Sequence, residues 1–326
     1  TVNEGDLSRK EALPGAMVEY TYSRPNLEME IPDLVVVLGA RVDWNSRFDR
    51  LLFTPRMSAK YNFSQKSIAR ISVGRGFRSP NLMAENISLL ASNRILNFAN
   101  NLGLEEAWNY GVNFTQSFKV ARRDATFSVD LYRTDFEQQI LVDVDQSPTQ
   151  VSFYNVDGKS FSNSFLASLL YNILPGLDVK MSYKWNDVRA TYADGVLRKV
   201  PLVAQHRGLV TFDYTTPNKL WMINTRVQVV GPQRLPDNSQ VPHEYTHDFP
   251  ANSPAYGIWN AQVTRTFGKK LEVYIGGENL NGFQQHNAII AANEPESPFF
   301  NGSQVWGPMM RQVAYLGIRF APGGLQ

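Results

Sequence analysis

The chain has 326 residues, 32 basic and 30 acidic side chains, and a formal charge of +2 at pH 7. That balance leaves no basic excess to neutralise phosphates, which argues against a nucleic-acid binder. The absence of cysteine excludes a disulfide scaffold, a thiolate metal site and a cysteine nucleophile. No apolar run reaches the roughly 18 residues of a membrane helix, and the opening TVNEGDLSRK carries no signal-peptide pattern.

Taken in chain order, about thirteen segments alternate apolar and polar residues with a period of two. They lie near 15–24, 34–44, 51–62, 66–77, 104–119, 124–139, 150–172, 177–190, 206–215, 219–231, 256–267, 270–281 and 309–320. In Ala125–Tyr132, Phe127, Val129 and Leu131 alternate with Thr126, Ser128 and Asp130. In Leu177–Asn186, Val179, Met181, Tyr183 and Trp185 alternate with Asp178, Lys180, Ser182 and Lys184. Trp221, Ile223, Val227 and Val229 alternate with Asn224, Arg226 and Gln228 in the same way.

Strands of five or six residues are usual, whereas about ten alternating residues cross a bilayer at a tilt. The links carry a second regularity. Short ones (62–67, 120–124, 174–176, 216–218, 268–269) alternate with long ones (78–103, 139–150, 191–205, 232–255, 282–308). Two links near the start break the rhythm: 45–50 is short where a long one is due, and 24–33 is the reverse. Outer-membrane barrels place short turns on the periplasmic side and long loops outside. The expected fold is therefore all-β, an antiparallel transmembrane β-barrel. A propeller would repeat every 40 residues or so, and a soluble sandwich would use shorter strands.

One stretch raises another chemistry. His243, Glu244 and His247 in PHEYTHDFP spell H-E-x-x-H, the zinc-peptidase pattern, which works only where a helix brings both imidazoles to one face. Pro232, Pro236, Pro242, Pro250 and Pro254 punctuate this loop, so a helix longer than about two turns is not expected. No further ligand stands at a zincin spacing. The chain is read as no enzyme, with no cofactor. The loop histidines and Asp248 keep a weaker use, as ligands for a transition metal or a metal-bearing molecule.

Several segments along the chain resemble one family. SVGRGFRSPN (Ser72–Asn81), NNLGLEEAWNYGVNFTQSF (Asn100–Phe118), GGENLNGF (Gly276–Phe283) and VAYLGIRF (Val313–Phe320) resemble strand motifs of TonB-dependent outer-membrane receptors. SPAYGIWNAQVTRTF and SQVWGPMMRQ look like members from the Bacteroidetes. In that family the barrel has 22 strands around a plugged lumen. The resemblance implies that residues 1–320 form a C-terminal part of such a barrel, with the plug and TonB box outside this chain, and that residues 321–326 are a tail of unassigned role.

The implied function is import of a scarce ligand, a ferric siderophore or other metal chelate first, across the outer membrane of a Gram-negative bacterium. A passive porin, or uptake of cobalamin, peptide or oligosaccharide, is the alternative. Partners implied are the TonB energy-transducing complex, outer-membrane lipids and an extracellular lipoprotein. Haem is disfavoured: Phe77-Arg78-Ser79-Pro80 is close to the haem receptors' first box, but no histidine occurs up to Leu104 and their second box is broken. Candidate ligand-binding residues at the rim and outer loops are Arg75, Arg78, Asn81, His243, Tyr245, His247, His286 and Trp306. Arg75 and Arg78 suit an anionic siderophore or carboxylate, although the family motif points to strand-end pairs holding the wall to the plug. Trp306 also suits an interfacial aromatic girdle.

Overall fold

The computed structural model describes residues 10–28, 30–246 and 249–323. In chain order the strands are β1 (Gly15–Arg24), β2 (Leu34–Asn45), β3 (Arg50–Ser64), β4 (Ser67–Arg78), β5 (Ile95–Phe98), β6 (Glu105–Val120), β7 (Arg123–Gln138), β8 (Ile140–Asp143) and β9 (Gln150–Asn155). They continue as β10 (Ser160–Leu174), β11 (Leu177–Thr191), β12 (Leu197–Lys199), β13 (His206–Thr215), β14 (Trp221–Val230), β15 (Tyr256–Phe267), β16 (Leu271–Glu278) and β17 (Val313–Phe320). Two helices, α1 (Leu82–Glu85) and α2 (His243–Thr246), are single turns of four residues.

Fourteen strands make one sheet, in the order β1-β2-β3-β4-β6-β7-β10-β11-β13-β14-β15-β16-β17, with β12 paired to β11 alone. Every pairing in it is antiparallel, and each strand lies beside its predecessor in that order, so the wall is a continuous meander. The thirteen strands on the main path match the thirteen alternating segments in place.

Period-two alternation sorts the wall into two faces. Ile71, Val112, Leu131, Phe165 and Trp185 lie opposite one another across five strands. One residue away, Arg70, Asn113, Asp130, Leu166, Lys184 and Arg207 form a row on the other face. The apolar face is uncovered: Leu316 is 72% exposed, Ile318 69% and Ile275 61%. An aliphatic side chain left in water forgoes about 1.5–3 kcal/mol of burial, so this face suits lipid. The polar face then belongs inside. Glycine and tyrosine interlock on that inner face at the end of the wall, where Gly276 faces Tyr315 and Gly317 faces Tyr274 across the β16–β17 pair. Each ring covers the neighbouring glycine, and the two rings meet edge-on with centroids 6.3 Å apart.

The segment 150–172, read as one strand, is two. β9 leaves the wall and joins β5 and β8 in a separate three-stranded sheet, while β10 alone enters the wall. The Asp157–Gly158 step between them, with Gly158 at φ 127°, makes the break, because such backbone suits glycine. Strands β5, β8 and β12 hold only four, four and three residues, too few for a period to register. At the other end, β16 stops at Glu278 because Asn279 turns left-handed at φ 51°.

Candidate functional site

The meander places the links β4–β6, β7–β10, β11–β13, β14–β15 and β16–β17 at one end of the wall. They pack as a cap. β5 runs parallel to β9, and β8 antiparallel to it, over a core of Leu89, Leu96, Ile140, Val151 and Phe153. Phe98 stacks on Phe153 with centroids 4.4 Å apart. Arg94, 6% exposed, donates to the carbonyls of Val144 and Ser147. Burial pushes its guanidinium below the usual range, against the opposing pull of Asp145 and Asp143.

A polar knot ties three links. Arg234 donates to Asp145 at 2.6 Å and to the Tyr192 hydroxyl at 3.1 Å, and Asp145 also accepts from the backbone N–H of Asp237. Asp143 accepts from the Tyr154 hydroxyl at 2.8 Å. Burial, then the charge of Asp145, pushes the Tyr192 phenol up to about 12. Burial and the bond to Asp143 raise Tyr154 as well.

A second seam joins the β16–β17 link to the β14–β15 and β4–β6 links. Val241, Ile290 and Ala291 are buried together with Tyr245, Phe249 and Phe299 against them. Asn93 donates through its side chain to the carbonyls of Pro295 and Ser297, at 2.6 and 2.9 Å, and Gly302 donates to Ala91. The links that meet here leave the wall at β6 and β16, seven strand places apart, which is about 34 Å along a sheet. Loops rooted that far apart nonetheless touch in the cap.

The predicted residues are distributed through this cap. Arg75 is committed to the wall, with Glu106 and Glu137 each at 2.6 Å. Arg78 pairs with Glu105 at 2.6 Å and Glu85 at 3.0 Å. Both arginines thus meet carboxylates of β6, β7 and α1. Asn81 caps α1, accepting from the backbone N–H of Ala84 at 3.3 Å. His243 is exposed in the first turn position of α2, and His286 is exposed on the last link. Tyr245 donates to Glu294 at 2.7 Å and packs beside Phe299; the hydrogen bond to Glu294 raises its phenol. His247 lies outside the described residues, as does Asp248. A four-residue turn gives no helical face for a zinc pair. No cluster of three or more metal-ligating side chains occurs among the described residues.

Trp306 is the best-connected of the set. It is half-buried beside Tyr256 and Phe283, at centroid distances of 5.8 and 6.2 Å, and Tyr256 stacks flat on Phe283 at 4.8 Å. The Tyr256 hydroxyl and the Gln233 amide both donate to the Trp306 carbonyl, while Gln285 accepts from the N–H groups of Trp306 and Gly307. Tyr256 and Phe283, the rings that pack with Trp306, were not among the residues singled out in the sequence. Tyr256 reads from sequence as an ordinary first strand residue, and only the fold of the last link brings Phe283 over it.

Comparison with known proteins follows this geometry. The family model described as "TonB dependent receptor-like, beta-barrel" matches residues 20–280. No curated protein matches the chain at a significant level. Among solved structures, the siderophore receptor PirA from Acinetobacter baumannii aligns with a TM-score of 0.66 at 15% identity, covering 98% of this chain and 47% of that one. The siderophore receptor PirA from Pseudomonas aeruginosa aligns at 0.58 and 15%, covering 96% and 47%. The ferric-catecholate import receptor Fiu from E. coli aligns at 0.63 and 14%, covering 95% and 45%. At such identity the likeness is one of fold, and this chain spans less than half the length of each of these structures.

Proposed function

The chain belongs to the TonB-dependent receptor β-barrel family, and we propose that the polypeptide it comes from imports a ferric siderophore or another metal chelate across the outer membrane. The family is one of outer-membrane receptors and transporters, not enzymes. In this reading residues 1–320 are the C-terminal part of the barrel, and TonB acts on a plug region outside these 326 residues. The observation that carries the reading is the cap. Long links from one end of a lipid-facing wall pack against one another, the arrangement a binding mouth requires. The structural neighbours include receptors for siderophores and ferric catecholate, which puts iron chelates first among substrates.

The candidate contacts on the outer layer are His243, Tyr245, His247, His286 and Trp306, with Arg75, Arg78 and Asn81 at its base. Because Arg75 and Arg78 already hold carboxylates, a ligand reaching them would compete with those partners; His243 and His286, both exposed, hold no carboxylate among the described residues.

The test is uptake of radiolabelled iron, supplied as a panel of chelates, by iron-starved source cells with and without the gene. Loss of uptake of one chelate on deletion, and on collapse of the proton-motive force, supports the proposal. Unchanged uptake of every iron chelate refutes it. A passive conductance of the purified protein in planar bilayers would assign a porin, and selective loss of cobalamin, peptide or oligosaccharide uptake would reassign the substrate.

A further inference from the structure

We infer that the short-turn end of the wall binds anionic glycerophospholipid of the inner leaflet through Lys66, Arg122, Lys219, Lys269 and Lys270. The inference concerns the membrane around the barrel and stands whichever ligand the receptor carries. Short turns of such barrels face the periplasm, which puts these tips at the headgroups of the inner leaflet. Five turns close the hairpins from β3–β4 to β15–β16, at 65–66, 121–122, 175–176, 216–220 and 268–270. Between them they hold those five cations and no acid, and all five cations are exposed.

None of the five side chains has an ion pair or a hydrogen bond among the described residues. The acids on the strands beside these tips already have partners. Asp124 lies 3.8 Å from Lys119, Glu272 holds Arg319 at 3.0 Å, and Asp178 and Asp213 accept from the amides of Asn172 and Asn224. The other acids of this end, Glu28, Glu30 and Asp33, are gathered in the β1–β2 link, where Arg24 holds Asp33 at 2.8 Å. Successive hairpins repeat every two strands, about 10 Å along a sheet. That spacing is close to the screening length of about 8 Å at physiological salt. The tips therefore present a positive field along the foot of the wall, interrupted at the uncharged β10–β11 turn, and its complement is a surface of negative charges.

Apolar side chains are interleaved with the charges, which favours a lipid over a soluble acid. Ile173 and Leu174 are exposed beside the uncharged turn, and Phe63, Trp221 and Phe267 are exposed beside three of the charged ones. Arg265 lies on the outer face, opposite Trp221 and Val273, one row below Ile223, Val263, Ile275 and Leu316. Its guanidinium sits 4.9 Å from the Trp221 ring centroid and 4.7 Å from that of Phe267. A cation so placed keeps its stem on apolar surface and its head at the polar boundary, the height of the lipid phosphates. A soluble acid would engage the tips alone. An anionic lipid engages the tips, Arg265 and the exposed apolar side chains together.

The experiment is native mass spectrometry of the intact receptor, purified from membranes, with equimolar dioleoyl phosphatidylglycerol and dioleoyl phosphatidylethanolamine. Phosphatidylglycerol should be retained about fivefold over phosphatidylethanolamine, the advantage that one cation near an anionic surface supplies. The five-site variant Lys66→Gln, Arg122→Gln, Lys219→Gln, Lys269→Gln, Lys270→Gln should bring that ratio to about one. Replacing the four lysines by arginine should preserve it, and Arg47→Gln with Lys159→Gln, at the loop end, should leave it unchanged. Unchanged heat-modifiable migration on gels verifies that each variant is a folded barrel. Equal retention of the two lipids by the wild type, or an undiminished preference in the five-site variant, overturns the inference. Displacement of the lipid by equimolar glycerol phosphate would also overturn it, as would tighter capture of the wild type by purified peptidoglycan than by phosphatidylglycerol vesicles. None of these results bears on iron uptake, so the two readings fall separately.

Discussion

Replacing Phe153 by alanine should unhook the three-stranded cap sheet while leaving the wall intact. Phe153 is 1% exposed, stacks on Phe98, and sits among Leu89, Leu96, Ile140 and Val151. Truncating a buried phenylalanine costs about 3–5 kcal/mol. The strands it holds have only four, four and six residues, and local units of that size open with free energies well below the global value. A loss of about 3 kcal/mol is a factor of about 150 in the opening equilibrium, since each 1.4 kcal/mol is tenfold. Hydrogen exchange on the purified receptor should therefore accelerate about 100-fold in peptides covering β5, β8 and β9. Peptides from β6, β7 and β10 should not change. Acceleration below about threefold in the cap, or a rise spreading evenly into the wall, would refute the claim that the cap is a separately packed unit.

Three other outcomes are expected. Asn279→Ala removes one side chain that donates to the carbonyls of Phe283, Met310 and Arg311 and leaves alanine at φ 51°; with about 1 kcal/mol per neutral bond, it should cost about 2–3 kcal/mol and speed proteolysis of the last link, and Asn279→Gly should recover part of the loss. Gly111→Ala sets a methyl 2.5 Å from the Ser72 hydroxyl and 2.6 Å from the Tyr132 ring, an overpacking worth about 1–3 kcal/mol, measurable as a lower denaturant midpoint; Tyr132→Ala in the same chain should relieve the clash. Tyr192 ionises near 10 when free and near 12 in the fold. The folded state holds that proton more tightly, so the stability this group contributes is present below pH 10 and falls as the pH rises toward 12. Tyr192→Phe should flatten that part of the pH profile, read from cap exchange rates.

The wall was legible because its physics is local. Val179, Met181, Tyr183 and Trp185 alternate with Lys180, Ser182 and Lys184, and that alternation alone assigns both faces and a membrane-crossing length. The cap was illegible because its short strands pair through contacts distant in sequence: β5 meets β9 with Ile95 beside Gln150, a pairing that no period announces. For the candidate residues, position was easier to read than engagement. Arg75 and Arg78 were placed correctly at a strand end, yet Glu105 and Glu106, adjacent in sequence and facing opposite ways, decide what those arginines hold. The histidine motif needed only its prolines to be set aside as a helical zinc site. The inner polar row required register: Lys184 and Arg207 are 23 residues apart, and only the pairing of β11 with β13 sets them face to face.

The bonds from Asn93 to the carbonyls of Pro295 and Ser297 span 202 and 204 residues, and they impose an order on how the molecule is made. The first long loop cannot find its seat until the final hairpin has been synthesised and delivered beside it. A closure over that distance pays its chain entropy only once the intervening wall has formed and shortened the path. The seam with the last link is therefore the last part to set, and until then Val241, whose buried neighbours Ile290 and Ala291 lie on that link, stays open to proteases.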